Sequence, residues 1–156
     1  MKISFKLNGK PVSLELDPSM RFIDVIRDVL HLNATKEGCG EGSCGACVIL
    51  MDGKSVNSCL LPAANVIGHE IVTLEGLKET KEFDVLQRAF AATGGQQCGF
   101  CTPGMIIASY SLLKESPHPT DEEIRAKMSG NLCRCTGYQA IVEAVKLASK
   151  EGESLW

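Results

Sequence analysis

The sequence is poor in aromatic residues: five Phe, two Tyr and one Trp make up 5% of its 156 residues. Its core must therefore rest on Val, Ile, Leu and Ala. Long apolar runs are missing as well, and none approaches the ~18 residues that a membrane span needs. The opening stretch Met1-Lys2-Ile3-Ser4-Phe5-Lys6 alternates polar and apolar residues and lacks the apolar block of a signal peptide. Lys and Arg are scattered, with no polybasic run for a membrane surface. A formal net charge of −3 and a pI near 5.6 argue against electrostatic nucleic-acid binding. There is no internal repeat, no low-complexity segment, no nucleophile–base pair and no phosphate loop. These absences predict a cytoplasmic protein with neither nucleic acid nor membrane as partner, in which Asn33-Ala34-Thr35 matches a glycosylation pattern by chance. The remaining composition, 44% hydrophobic and 22% charged, is that of a globular chain. Its length fits one ordinary domain or two small ones.

Cysteine is what the chain has in excess. Eight thiols are too few per residue for a disulfide scaffold and too many for incidental core use, and in a reducing compartment they point to metal. Cys39, Cys44, Cys47 and Cys59 form C-x4-C-x2-C-x11-C, whose first three positions match the plant-type [2Fe–2S] ligand spacing. Cys98, Cys101, Cys133 and Cys135 form C-x2-C-x31-C-x1-C. Two sets of four leave no thiol over.

The two sets fall in regions of different periodicity. Ile3, Phe5 and Leu7 alternate with polar residues, Asn8-Gly9 supplies a type I′ turn, and Val12, Leu14 and Leu16 alternate again, which predicts a hairpin. Phe22, Ile23, Ile26, Val29 and Leu30 have a helical period. Val48-Ile49-Leu50-Met51 before Asp52-Gly53 predicts a strand entering a second hairpin, and Ile71-Val72-Thr73-Leu74 a further strand. Beyond this the pattern is helical. Phe83, Leu86 and Phe90 precede Gly94-Gly95. Thr102-Pro103 reads as an N-cap with Pro at N1. Thr120 and Glu123 form a capping box, and a last helix runs from Tyr138 to about Ser149. The period changes between Gly76 and Glu82, so the domains are expected at 1–76 and 77–156.

The chemistry around each set suits an anionic cluster. Gly38, Gly40, Gly42 and Gly45 crowd the first loop, where glycine allows positive φ and close approach of N–H groups. A [2Fe–2S] centre on four thiolates carries about −2 oxidised and about −3 reduced, a charge that N–H donors offset. In the second set, Cys98 and Cys101 lie at the mouth of a helix, whose free N–H groups and positive dipole end favour an anion. Bound metal there would clamp two helix starts together.

Rival readings explain less. Disulfides want a secretory signal. Structural zinc prefers two CxxC knuckles. A thioredoxin-like Cys98-Gly99-Phe100-Cys101 leaves six cysteines unexplained. Gly40-Glu41-Gly42-Ser43-Cys44-Gly45 matches G-x-G-x-x-G literally but lacks the following helix and the later acid. His31, His69 and His118 stand apart from the cysteines and are expected on the surface or in loops, which removes mixed His/Cys ligation. Arg134, between two ligands, has a side chain expected either to face solvent or to tune the potential or touch a partner.

At the motif level the chain resembles a known family. Cys39-Gly40-Glu41-Gly42-Ser43-Cys44-Gly45-Ala46-Cys47 looks like the first cluster loop of the molybdenum hydroxylase (xanthine oxidase/dehydrogenase) family. Gln97 to Gly104 and Gly130 to Tyr138 look like its second. The likeness covers roughly Ile3 to Ala148 and is to the separate small iron–sulfur subunit of bacterial members. Relatives of this kind serve xanthine dehydrogenase, 4-hydroxybenzoyl-CoA reductase, and nicotinate, carbon monoxide and aldehyde dehydrogenases. Ser43 and Gln96 depart mildly from the pattern and remove no ligand.

The resemblance implies an α+β chain: an N-terminal ferredoxin-like β-grasp domain, then an all-α four-helix domain, each holding one [2Fe–2S] cluster. It implies an electron-transfer subunit of an oxidoreductase with no substrate-converting site of its own. Its partners would be a large molybdopterin-binding subunit, next to the second cluster, and an FAD-binding subunit, next to the first. Gln97 and Cys135 would contact the pterin, Cys135 while ligating iron. Xanthine or a related purine is the expected substrate of the assembly. The competing readings are a structural metal-binding module and a free-standing ferredoxin.

Overall fold

A computed structural model describes residues 1–156. The hairpin forms as the alternation predicts: β1 (Lys2–Leu7) and β2 (Lys10–Glu15) pair antiparallel, with Ile3 opposite Leu14 and Leu7 opposite Lys10. Asn8 and Gly9 turn the chain at φ 48° and 80°, as a type I′ turn requires. A helical segment follows, α1 (Phe22–Asp24), continuing through a π-helical turn at Val25–Val29. Strands β3 (Val48–Met51) and β4 (Lys54–Asn57) make the second hairpin around Asp52-Gly53. Strand β5 (Glu70–Val72) then inserts between β1, which it meets in parallel, and β3. The sheet order is β2-β1-β5-β3-β4. The expected strand Ile71–Leu74 is thus shifted: Thr73 leaves the sheet and Leu74 opens the short helix α2 (Leu74–Leu77).

One face of the sheet packs on α1. Ile3, Phe5, Ile49 and Ile71 meet Phe22, Val25 and Ile26 in a fully buried cluster, with the Phe5 and Phe22 rings edge-to-face at 5.4 Å. Helices α3 (Lys81–Thr93), α4 (Thr102–Glu115), α5 (Asp121–Met128) and α6 (Gln139–Glu151) build the second core. Because side chains alternate along a strand, β3 serves both cores. Ile49 enters the α1 cluster, while Val48 and Leu50 join the helical one. This double burial explains an uninterrupted Val-Ile-Leu-Met run on a strand with no polar face.

Helix ends follow local rules. Gly94 closes α3 at φ 73°, the left-handed C-cap that glycine tolerates best. Thr120 and Glu123 form the predicted capping box at the start of α5. The start of α4 lies one residue earlier than expected: Cys101 is the N-cap, Thr102 is N1 and Pro103 is N2. Pro103 still sits where its missing N–H costs no helical hydrogen bond.

Candidate metal centres

All eight cysteines are free thiols. The fold places them in two regions, four in each. Cys39, Cys44 and Cys47 lie on the loop between α1 and β3, and Cys59 lies on a 3₁₀ turn, Ser58–Leu60, directly after β4. Within this set Cys39 lies close enough to Cys44 for the two thiols to interact, as does Cys47 to Cys59. Cys98 and Cys101 come from the loop before α4, and Cys133 and Cys135 from the loop before α6. Here Cys135 interacts most strongly with Cys98, and Cys101 with Cys133.

This two-plus-two arrangement is the test of what the sites suit. A tetrahedral zinc site brings its donors to a single point. No three His, Cys, Asp or Glu side chains converge in that way. Four thiols spread as two interacting pairs suit a binuclear iron–sulfide core, which takes two thiolates per iron. The donor sets therefore fit [2Fe–2S] clusters better than single ions. The histidines stay apart, as expected: His69 pairs with Asp52 at 2.5 Å, and His31 and His118 are exposed.

The first set is lined by backbone. The N–H groups of Glu41 and Ser43 point at Cys39 Sγ (3.4 and 3.3 Å), and that of Ala46 at Cys44 Sγ (3.5 Å). Gly40, Gly42 and Gly45 hold φ between 69° and 79°, which gives the loop this inward-facing shape. The Ser43 side chain, with the Glu41 N–H, draws the exposed Cys39 thiol down to about 6. Burial pushes the Cys47 thiol up to about 12. Cys47 and Cys59 are only 2% and 3% exposed and pack on Ile23. Asn57, which sequence reasoning missed, ties the loop to the sheet by donating to Gly42 O at 2.9 Å.

The second set is lined by a helix mouth and by side chains. Cys101 caps α4, so the open N–H groups and positive dipole end of that helix face its surroundings. Burial pushes the Cys101 thiol up to about 12. Burial acts the same way on Cys133, but hydrogen bonds from Thr136, Cys101 and the Cys135 backbone together outweigh it and leave that thiol below its ordinary value. The Thr136 hydroxyl donates to Cys133 Sγ at 3.1 Å. Cys98, Cys135 and Gln97 are exposed, as are Phe100 and Leu132 in the same two loops, at 49% and 59%. Arg134 is exposed to solvent.

The two loops touch. Leu132 N donates to Cys44 O at 2.8 Å, and Asn131 Nδ2 donates to Gly45 O at 3.0 Å. A Cβ on Gly45 would lie 2.3 Å from Gly130 O, and one on Gly104 would lie 2.5 Å from Gly45 O. Glycine at these positions lets the backbones of the two regions meet. One hydrogen bond therefore joins a thiol-bearing residue of the first set to the immediate neighbour of one in the second.

Comparison with known proteins agrees with this geometry. Residues 5–70 match the family described as 2Fe-2S iron-sulfur cluster binding domain, and residues 73–146 the one described as [2Fe-2S] binding domain. The chain is 46% identical over 146 residues to the nicotinate dehydrogenase small FeS subunit of Eubacterium barkeri, covering 94% of this chain and 93% of that protein. It is 46% identical to a probable xanthine dehydrogenase subunit of Bacillus subtilis, covering 88% of this chain and 79% of that one. Among solved structures, quinoline 2-oxidoreductase from Pseudomonas putida 86 superposes with a TM-score of 0.92 at 42% identity, covering 99% of this chain and 96% of that one. The chain is a small iron–sulfur subunit of the molybdenum hydroxylase family. Its fold is the expected β-grasp and four-helix pair, and it binds two [2Fe–2S] clusters as an electron-transfer subunit of an oxidoreductase. In the aldehyde oxidoreductase of Desulfovibrio gigas the same fold (TM-score 0.92, 36% identity) covers 99% of this chain but 17% of the matched one. There it forms part of a much longer polypeptide. The small-subunit relatives imply larger partner subunits here. No helix is long and apolar enough to cross a membrane.

Proposed function

We propose that the subunit carries electrons between a molybdopterin site in a large partner subunit and FAD in another partner, in the cytoplasm. Cys39, Cys44, Cys47 and Cys59 hold one cluster in a domain spanning 1–76. Cys98, Cys101, Cys133 and Cys135 hold the other in a domain spanning 77–156. When bound, each cluster supplies a centre that accepts and releases one electron at a time. The chain's own residues do the rest. Paired thiols fix the two centres, loop N–H groups and the α4 mouth stabilise their negative charge, and the Cys44–Leu132 hydrogen bond holds the two loops in register. Gln97 and Cys135 meet the pterin across the exposed surface beside Phe100 and Leu132, and the first set faces the flavin subunit. Xanthine or a related purine is the proposed substrate of the assembly, supported by relatives named for xanthine and caffeine dehydrogenases.

The observation that carries this reading is the gathering of eight free thiols into two sets of four that touch through the Cys44 and Leu132 loops. Its test is direct. The purified full chain is expected to be brown, with about four irons and about four acid-labile sulfides and two paramagnetic signals on reduction. In native extract it is expected to copurify with two larger chains. Colourless protein with stoichiometric zinc would refute cluster binding. Elution alone would favour a free-standing ferredoxin.

A further inference from the structure

The loop from Cys133 to Tyr138 contains a hydroxyl whose proton has a single direction to take. Thr136 Oγ1 accepts the backbone N–H of Tyr138 at 3.2 Å. A threonine hydroxyl has one proton to give, and with Oγ1 already accepting from Tyr138 that proton lies toward Cys133 Sγ, 3.1 Å away. The geometry depends on Tyr138. Its φ of 71° is left-handed, a conformation that costs a non-glycine residue about 1 kcal/mol and that turns its N–H back onto Thr136. Its phenol fixes the other end of the loop. The oxygen accepts the Cys133 N–H at 2.8 Å and its proton goes to Asn131 O at 3.0 Å. Asn131 is itself 5% exposed and held by Gly45. One tyrosine thus clamps both ends of a short loop and aims a neighbouring hydroxyl at a sulfur. In the first set the hydrogen bonds to the Cys39 and Cys44 sulfurs come from backbone N–H groups, and the Ser43 hydroxyl, the one non-cysteine side chain acting on Cys39, donates its proton to the Glu41 carboxylate at 3.1 Å.

We propose that Thr136 sets the reduction potential of the second site, with Tyr138 as the residue that positions it. This rests on the ligand assignment given under Proposed function. Reduction adds one electron and no proton, and the Thr136 hydroxyl keeps its own hydrogen throughout. The extra negative charge falls partly on the Cys133 thiolate, so a hydroxyl donating there stabilises the reduced state more than the oxidised one. The second site is thereby held at a higher potential than its thiols and burial alone would give.

The experiment is potentiometric reduction of the iron-loaded full chain, following the two paramagnetic signals separately. Thr136→Val is expected to lower the reduced-to-oxidised ratio of the second site about tenfold at fixed poise, a shift of 59 mV for a one-electron couple. The first site should not move, and Thr136→Ser should restore the wild-type value. Thr136→Ala serves the same purpose should the valine variant not assemble its cluster. An unmoved second potential in the valine or alanine variant, or a serine variant shifted as far as valine, overturns the role of Thr136. Absence of both signals from the wild-type protein would instead overturn the underlying cluster assignment.

Discussion

The two thiol sets meet one electrostatic requirement with different materials. The first is wrapped by a glycine-bearing loop whose backbone N–H groups point at Cys39 and Cys44, and its inner pair, Cys47 and Cys59, is sealed into the core beside Ile23. The second sits at a helix mouth, leaves Cys98 and Cys135 exposed, and takes a donor from the Thr136 side chain. Backbone donors change only if the loop changes. Side-chain donors change with a single residue. The first environment is therefore tied mainly to the fold, with Ser43 at Cys39 as its side-chain exception, and the second is adjustable and presented to a partner.

Cysteine replacement should give the largest effect and the sharpest test of this contrast. Cys47→Ser is expected to abolish the first paramagnetic signal, reduce iron from about four to about two atoms per chain, and lower the melting temperature, because it also puts a hydroxyl into a buried apolar contact. Cys135→Ser, at an exposed position, should remove only the second signal, with a smaller thermal penalty. Loss of both signals from either variant, in soluble folded protein, would break the sorting of ligands by domain.

The seam between the regions comes next in size. Gly45→Ala combines a left-handed backbone (φ 71°) with a Cβ set 2.3 Å from Gly130 O and 2.6 Å from Asn131 Nδ2, and should cost about 3 kcal/mol. Gly53→Ala is the control. Its φ of 80° is similar, yet a Cβ there meets nothing within 4 Å, so about 1 kcal/mol is expected. Denaturant midpoints of the two variants measure the difference. Equal losses would mean that the two loops do not meet as tightly as the glycine contacts indicate.

The same contrast explains what could be read from the sequence. Cys-x4-Cys-x2-Cys among glycines is a local signal, because spacing and loop shape there arise within ten residues. The alternating strands, the Thr120 capping box and the helical period were legible for the same reason. The start of α4 was misplaced by one residue because Thr102-Pro103 is a good local cap, while the structure gives that position to Cys101. Tyr138 and Thr136 lay hidden in the motif. Nothing in tyrosine's propensity announces a left-handed φ, which here is held by hydrogen bonds to Cys133, Thr136 and Asn131. The contact between Gly45 and Gly130–Asn131 spans 86 residues from Gly45 to Asn131, a distance at which local pattern is silent.

The smallest effect probes whether the helical region depends on local caps in a way the sheet region does not. Thr120 accepts the Glu123 N–H through its hydroxyl, and the Glu123 carboxylate accepts the Thr120 N–H and hydroxyl in return. Thr120→Ala should cost about 1 kcal/mol, read as faster hydrogen exchange in α5 with the first paramagnetic signal unchanged. The Thr120 N–H, with its hydroxyl, holds the Glu123 carboxyl below the usual carboxylate range. A carboxyl depressed in the folded state contributes stability that is present above its unfolded pKa and lost as pH falls through the folded one. Protection of the α5 amides in wild type should therefore decline once pH drops below about 4, and the gap between wild type and Thr120→Ala should narrow over the same interval. Because α5 leads through Ser129-Gly130 directly into Asn131, whose side chain holds Gly45 O, its loosening should reach the second set before the first. A pH-independent gap, or equal loosening of both sets, would show that the cap stabilises the helix without supporting the seam.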